Sequence, residues 1–479
     1  MKPHVLLSLA TILLMIITGC GSTVAGQGVS PLYDPFKVGG MPAVTGPSGI
    51  RDNAPPTTGT VLNTDDGPVD HLALLAVNDI AEYWSQNYSP ALPGEFIPVK
   101  RLVSYDSTDR SSPRICGGRT YEMVNAFYCP PMHLMAWDRG VMVPVGQKFF
   151  GDMSIAALMA HEYGHAVQRM ADMMDRRTPS VVVELQADCL AGDYLRWVAD
   201  GSSPRFTLDT GDGLNHVLAG VITIRDPLLT DDLESLLAQQ EHGTALDRVG
   251  AFQMGFTSGT SACKALDEAE VQKRRGDLPI MLDTDDGGQV QTGEVPLDED
   301  VLGMLMDDLG TIYSPSQAPT LSFDPGECEN PQPGSPVAYC ADSNTIAVDL
   351  PALQKFSAPA DERRDLVLLQ GDNTGISALT SRYALAVQKQ RGLAVDTPAS
   401  ALRTACLTGV AQRAMIDPSA ERKLKLTAGD IDEAVSGLLV NGIVASNVDG
   451  ATVPAGFTRI VAYRSGLEGD ADLCYQRFA

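Results

Sequence analysis

The chain is written twice, and this repetition constrains its fold more than any single motif does. Cys116 and Cys129, in ICGGRTYEMVNAFYC, align with Cys328 and Cys340, in ECENPQPGSPVAYC. ALMAHEYGHAVQRM, ending at Met170, aligns with SALTSRYALAVQKQ, ending at Gln390. ELQADCLAG, from Glu184, aligns with ALRTACLTG, from Ala401. Further on, Arg248, Phe252, Gly255 and Cys263 align with Arg459, Tyr463, Gly466 and Cys474. The order is preserved and the offset drifts slowly, so the expected architecture is one domain duplicated in tandem. Equivalent cysteines should then pair equivalently. That predicts Cys116–Cys129 and Cys328–Cys340 closing hairpin-like loops, with Cys189–Cys263 and Cys406–Cys474 tying a central helix to the end of each copy.

The ninth cysteine, Cys20, belongs to a different device. Lys2 and the apolar run Val5 to Ile17 lead into Ile17-Thr18-Gly19-Cys20, which resembles a bacterial lipobox. Residues 1–19 therefore read as a lipoprotein signal peptide, with Cys20 as the lipidated residue. The mature chain is expected to be exported and lipid-anchored to the outer face of the bacterial cell membrane. Residues 20–66, rich in Gly, Pro, Ser and Thr, read as a flexible tether. The two copies occupy 67–275 and 297–479, joined by a linker at 276–296. Apolar spacing predicts a helix opening each copy, at Asp70 to Trp84 and Asp298 to Tyr313. Strand-like pieces follow at Phe127 to Val143 and Val337 to Val348, giving an α+β fold. A net charge of -25 excludes a nucleic-acid partner and electrostatic docking onto anionic lipid.

His161-Glu162-Tyr163-Gly164-His165 carries the chemistry. It is an H-E-x-x-H sequence inside the apolar helical pattern SIAALMAHEYGHAVQRM. Residues four apart share a helix face, so both imidazoles can reach one zinc ion while Glu162 faces a water on the metal. A zinc ion polarises a carbonyl and acidifies that water, and the glutamate accepts its proton. Unpaired histidine rings on such an apolar face would be costly, which favours a metal site. Glu184 and Asp188 are also four apart on a helix-like segment. One can bind the metal while the other accepts an N–H from a ligating histidine.

These motifs resemble the bacterial neutral zinc metallopeptidases, through HEYGHAVQ at His161, ELQADCLAG at Glu184, HGTALDR at His242 and GFTSGTSAC ending at Cys263. The resemblance covers most of the first copy and implies a zincin-like metallopeptidase domain. It implies His161, His165 and Glu184 as ligands of Zn2+, Glu162 as catalytic base and Asp188 as the group behind a ligand. The implied substrate is a peptide or protein of the cell envelope. His242 could stabilise an oxyanion, or could be a structural histidine capping the helix that carries Arg248 and Phe252.

The second copy lacks this set. His161, Glu162 and His165 become Ser381, Arg382 and Leu385, and Glu184 and Asp188 become Ala401 and Ala405. His242 falls opposite Val453, and all seven histidines lie at or before His242. What persists is what a fold needs, so the second copy reads as a degenerate metallopeptidase-like domain. The competing reading is a non-catalytic lipoprotein scaffold or binding module with a structural or vestigial zinc site.

Overall fold

Apolar residues spaced three and four apart form helix α1 (Pro68–Ala91), which starts on Pro68, where a missing N–H removes no helical bond. The computed structural model describes residues 30, 32–227, 241–282, 291, 293–328, 334–360 and 368–479. The signal segment and Cys20 lie outside these residues, as do 283–290 and 292 of the linker. Among the described residues no helix is long and apolar enough to cross a membrane.

In the first half, strands β1 (Val61–Leu62), β2 (Arg101–Tyr105), β3 (Ala126–Cys129) and β4 (Leu134–Asp138) form one sheet in the order β1-β2-β4-β3. β1 and β4 run parallel to β2, with Arg101 opposite Leu134, and β3 returns antiparallel, with Cys129 opposite Leu134. This leaves β3 at the sheet edge. The strand expected to reach Val143 stops at Asp138 instead. The Asp138 carboxylate accepts the amides of Gly140, Val141 and Met142, which turns the chain into helix α2 (Met142–Phe150).

Helix α3 (Asp152–Met170) carries the H-E-x-x-H sequence, and fourteen of its nineteen residues are buried. Such all-round burial marks a central helix. It packs against α1, α2, β3 and two later helices, α4 (Ser180–Ala199) and α5 (Asp212–Thr223). Helix α6 (Ala245–Ser258) starts from a capping box between Thr244 and Asp247 and lies along α4.

The second half passes through a corresponding series. Helix α7 (Glu299–Tyr313) precedes strands β5 (Thr320–Ser322), β6 (Val337–Cys340) and β7 (Thr345–Val348). β5 pairs parallel with β7, and β6 pairs antiparallel with it. Helix α8 (Asp372–Gln390) is again central, and α9 (Pro398–Ile416), α10 (Asp430–Val440) and α11 (Gly456–Leu467) pack around it or on one another. All four disulfides are the pairs anticipated above, Cys116–Cys129, Cys189–Cys263, Cys328–Cys340 and Cys406–Cys474.

The α4–α6 and α9–α11 crossings share one constraint. A Cβ on Gly255 would fall 1.7 Å from the Cys189 carbonyl oxygen, and one on Gly466 would fall 1.8 Å from that of Cys406. The obstacle is backbone on both sides, held by the adjacent disulfide, so neither helix can retreat cheaply. Gly255→Ala is therefore expected to destabilise by roughly 3 kcal/mol or more, beyond ordinary overpacking. Chemical denaturation would show this as a lower midpoint at unchanged slope.

Two expectations about connecting segments are corrected by packing. The tether assigned to 20–66 is not loose over its described part. Gly49–Ile50 pairs with Phe206–Thr207, Arg51 donates to the carbonyls of Ser203 and Phe206, and β1 joins the main sheet. Its Gly- and Pro-rich composition mimics a linker, but its backbone groups find partners far along the chain. The linker assigned to 276–296 is fastened at both ends, by Asp277 to Arg413 and by the Val295 amide to Asp372.

One apolar cluster runs through both halves. At their junction Phe256 meets Phe457, with ring centroids 5.3 Å apart, and Gln253 donates to the Phe457 carbonyl. Buried Asp432 accepts the Ala245 amide at 3.0 Å and pairs with Arg225, so α10 caps the start of α6.

Candidate metal centre

Helix α3 presents His161 and His165 one turn apart, and α4 brings Glu184 across from them. The potential ligand atoms of these three residues all lie within 4.8 Å of one another. His161 Nε2 is 3.1 Å from Glu184 Oε2, and His165 Nε2 is 3.5 Å from Glu184 Oε1. Each imidazole is held from behind by an acceptor. His161 Nδ1 lies 2.8 Å from Asp188 Oδ1, and His165 Nδ1 lies 2.9 Å from Gln168 Oε1. With Nδ1 turned to an acceptor, each imidazole presents Nε2 to the shared centre. Two imidazole nitrogens and a carboxylate converging within 4.8 Å of one another are the donor set of a catalytic zinc site.

The charges around the centre are arranged in a chain. Burial would pull the His161 imidazole down, but the Asp188 and Glu184 carboxylates push it up to about 10. Burial also works against the ionised forms of Glu184 and Asp188. The histidines hold Glu184 below the usual carboxylate range, and Arg248 together with His161 does the same for Asp188. Arg248 grips Asp188 with two bonds of 2.8 Å, from Nε and Nη2, and gives a third to the Ile224 carbonyl. This fork fixes the carboxylate that fixes His161.

Glu162 stands beside the ligand set without belonging to it. Its Oε2 accepts the Tyr128 amide from edge strand β3 at 2.9 Å, and burial raises its carboxyl. His242 reaches the same region from the loop before α6. Its Nδ1 lies 3.2 Å from Asp226, whose carboxylate also accepts the His242 and Gly243 amides. The Asp226 bond raises the His242 imidazole, and the charge on His242 acts on Glu184. His242 is half-exposed, and the cap of α6 is Thr244 rather than His242. An apolar cavity of about 260 Å³ opens beside His161, lined among others by Met142, Val145, Leu158, Val217 and Ile224.

Asp226, Gln168, Tyr128 and the pairing role of Arg248 carry no signal in local spacing. Gln168 and Arg248 do recur as Gln388 and Arg459, which marked them as fold residues and concealed their part here. In the second half Arg382 lies buried where Glu162 would be. It donates to Ser446 and the Ile443 carbonyl, and desolvation lowers it to about 9. Arg459, in the half where Ala405 aligns with Asp188, donates to the carbonyls of Val453, Leu438 and Pro454.

Two bacterial relatives show how far the likeness extends. The Escherichia coli K12 protein YpfJ is 27% identical over 217 residues, covering 42% of this chain and 71% of its own. The Mycobacterium tuberculosis H37Rv protein Rv2575 is 27% identical over 190 residues, covering 36% of this chain and 63% of its own. Both are named only as uncharacterized proteins. No solved structure matches the chain. Residues 34–266, which include every residue of the centre and stop short of the second half, match the family described as "Putative neutral zinc metallopeptidase".

Proposed function

We propose that the first half is a zinc-dependent peptidase acting on peptides or proteins of the cell envelope, and that the second half is a duplicated, degenerate copy that buttresses it. The observation that carries this reading is the convergence of His161, His165 and Glu184, with Glu162 adjacent and outside the ligand set. Bound there, zinc would supply a Lewis acid for a scissile carbonyl and an acidified water. Glu162 would accept the proton at its free carboxylate oxygen and pass it to the leaving amine. The outward edge of β3 offers backbone groups to an extended substrate, as a further strand would use them. The apolar cavity beside His161 suits a bulky apolar side chain next to the scissile bond. His242, with Nδ1 held by Asp226, can aim its other nitrogen at a developing oxyanion. Processing at Cys20 would place this machinery on the outer face of the membrane.

The mature chain without Cys20 is expected to hold about one zinc per molecule by elemental analysis. His161→Ala should lose it. A wild-type protein that takes up no zinc when offered the metal would remove the peptidase reading and leave the scaffold in its place.

A further inference from the structure

A second cluster of acidic side chains lies in the other half, far along the chain from the candidate zinc centre. Glu294 precedes α7, Asp372 opens α8, and Glu433 stands in the first turn of α10. Carboxylate oxygens of the three all lie within 4.8 Å of one another. The backbone holds them in place. Glu294 Oε2 accepts the Asp372 amide at 3.1 Å, and Asp372 Oδ2 accepts the Val295 amide at 2.9 Å. Gly371 makes the room. A Cβ there would fall 2.1 Å from Glu433 Oε1 and 2.6 Å from Glu294 Oε1.

An independent observation points to a ligand. Asp372 and Glu433 are only 4% and 3% exposed, yet Asp372 Oδ1 and Glu433 Oε2 are buried with no hydrogen-bond partner. Buried carboxylate oxygens without a donor are costly. Among the described residues the charges that act on Glu433 are all negative, those of Glu294, Asp430 and Asp372. Among the described residues no positive charge is seen to offset them, so the missing partner should be a cation.

We propose that Glu294, Asp372 and Glu433 form a divalent-cation site, suited to calcium, that clamps the segment joining the two halves onto α8 and α10. The donors are all oxygen, with no nitrogen or sulfur, which selects a hard cation over zinc. Three oxygens within 4.8 Å of one another can all lie within about 2.8 Å of a common point, close to the calcium–oxygen range of about 2.3–2.6 Å. Charge on the second half thereby becomes a means of fixing Glu294, which lies on the segment between the halves.

The test uses the mature full-length chain, chelator-treated and then reloaded with zinc, and follows its thermal unfolding while calcium chloride is added. A saturable rise of several degrees is expected, smaller with magnesium chloride. Glu294→Gln, at an exposed position that does not threaten folding, and Glu433→Gln should each abolish the rise while leaving zinc content unchanged. A calcium response that survives in both variants would place the ion elsewhere and overturn the proposal. So would the absence of any response, above all if Glu433→Gln alone raised the melting temperature, because the carboxylates would then be sharing protons.

Discussion

Glu162→Gln is expected to keep the full zinc content and to lose peptide hydrolysis by about 10²–10⁴-fold, the usual contribution of a positioned general base. Glutamine has the same shape, and its amide oxygen can still accept the Tyr128 amide that holds Oε2 at 2.9 Å. What it cannot do is take a proton. Because Glu162 lies outside the trio whose donor atoms converge, the metal should not register the change. The loss should therefore fall on kcat, with KM little altered. Steady-state cleavage of an unstructured peptide, run beside elemental analysis of the same preparations, checks both parts. A variant with wild-type turnover would show that another group takes the proton.

Asp188→Asn should damage both the metal site and the fold, for one reason. Asp188 is shared between His161 Nδ1 and the guanidinium of Arg248, both at 2.8 Å. Removing its charge leaves Arg248 buried without a counter-ion, which costs about 3–5 kcal/mol. The imidazole also loses the acceptor that orients it, which should weaken zinc binding by about 10–100-fold. The two effects can be separated. Adding Arg248→Met to Asp188→Asn should restore much of the stability, because no unpaired charge remains, while zinc affinity stays low. The second half shows what a stable arrangement without the aspartate requires. There Ala405 aligns with Asp188, and Arg459 satisfies itself on the carbonyls of Val453, Leu438 and Pro454. Among the described residues, Arg248 would keep its bond to the Ile224 carbonyl and the more distant charges of Glu184 and Asp226. Equilibrium denaturation for stability, and competition with a chromogenic chelator for affinity, would read the two quantities apart.

Helix–sheet alternation alone would not have separated these functional residues from their neighbours. Comparing the two halves of the sequence did, because the second half carries Cys406, Gly409 and Gly466 where the first has Cys189, Gly192 and Gly255, but Ser381, Arg382 and Leu385 where the first has His161, Glu162 and His165. Even so, it sorted Arg248 and Gln168 into the wrong group. In the first half Arg248 also grips Asp188 behind His161, and Gln168 lies behind His165.

The sequence by itself determined the parts that rest on short-range periodicity and on repetition. A four-residue spacing puts His161 and His165 on one helix face whatever surrounds them, and the repeat dictates which cysteines can pair. Only the tertiary structure decided what holds the residues around those histidines, since Arg248 behind Asp188, Asp226 behind His242 and Tyr128 on Glu162 come from three different parts of the chain. It also decided that residues 32–66 pack against the first half, although their composition is that of a linker. Their amides and carbonyls find partners more than a hundred residues away, at Arg205, Thr210 and Gly211. Local composition reports how freely a backbone can bend. Whether it does bend freely depends on distant groups that satisfy its hydrogen bonds, and these are brought near only when the whole chain folds.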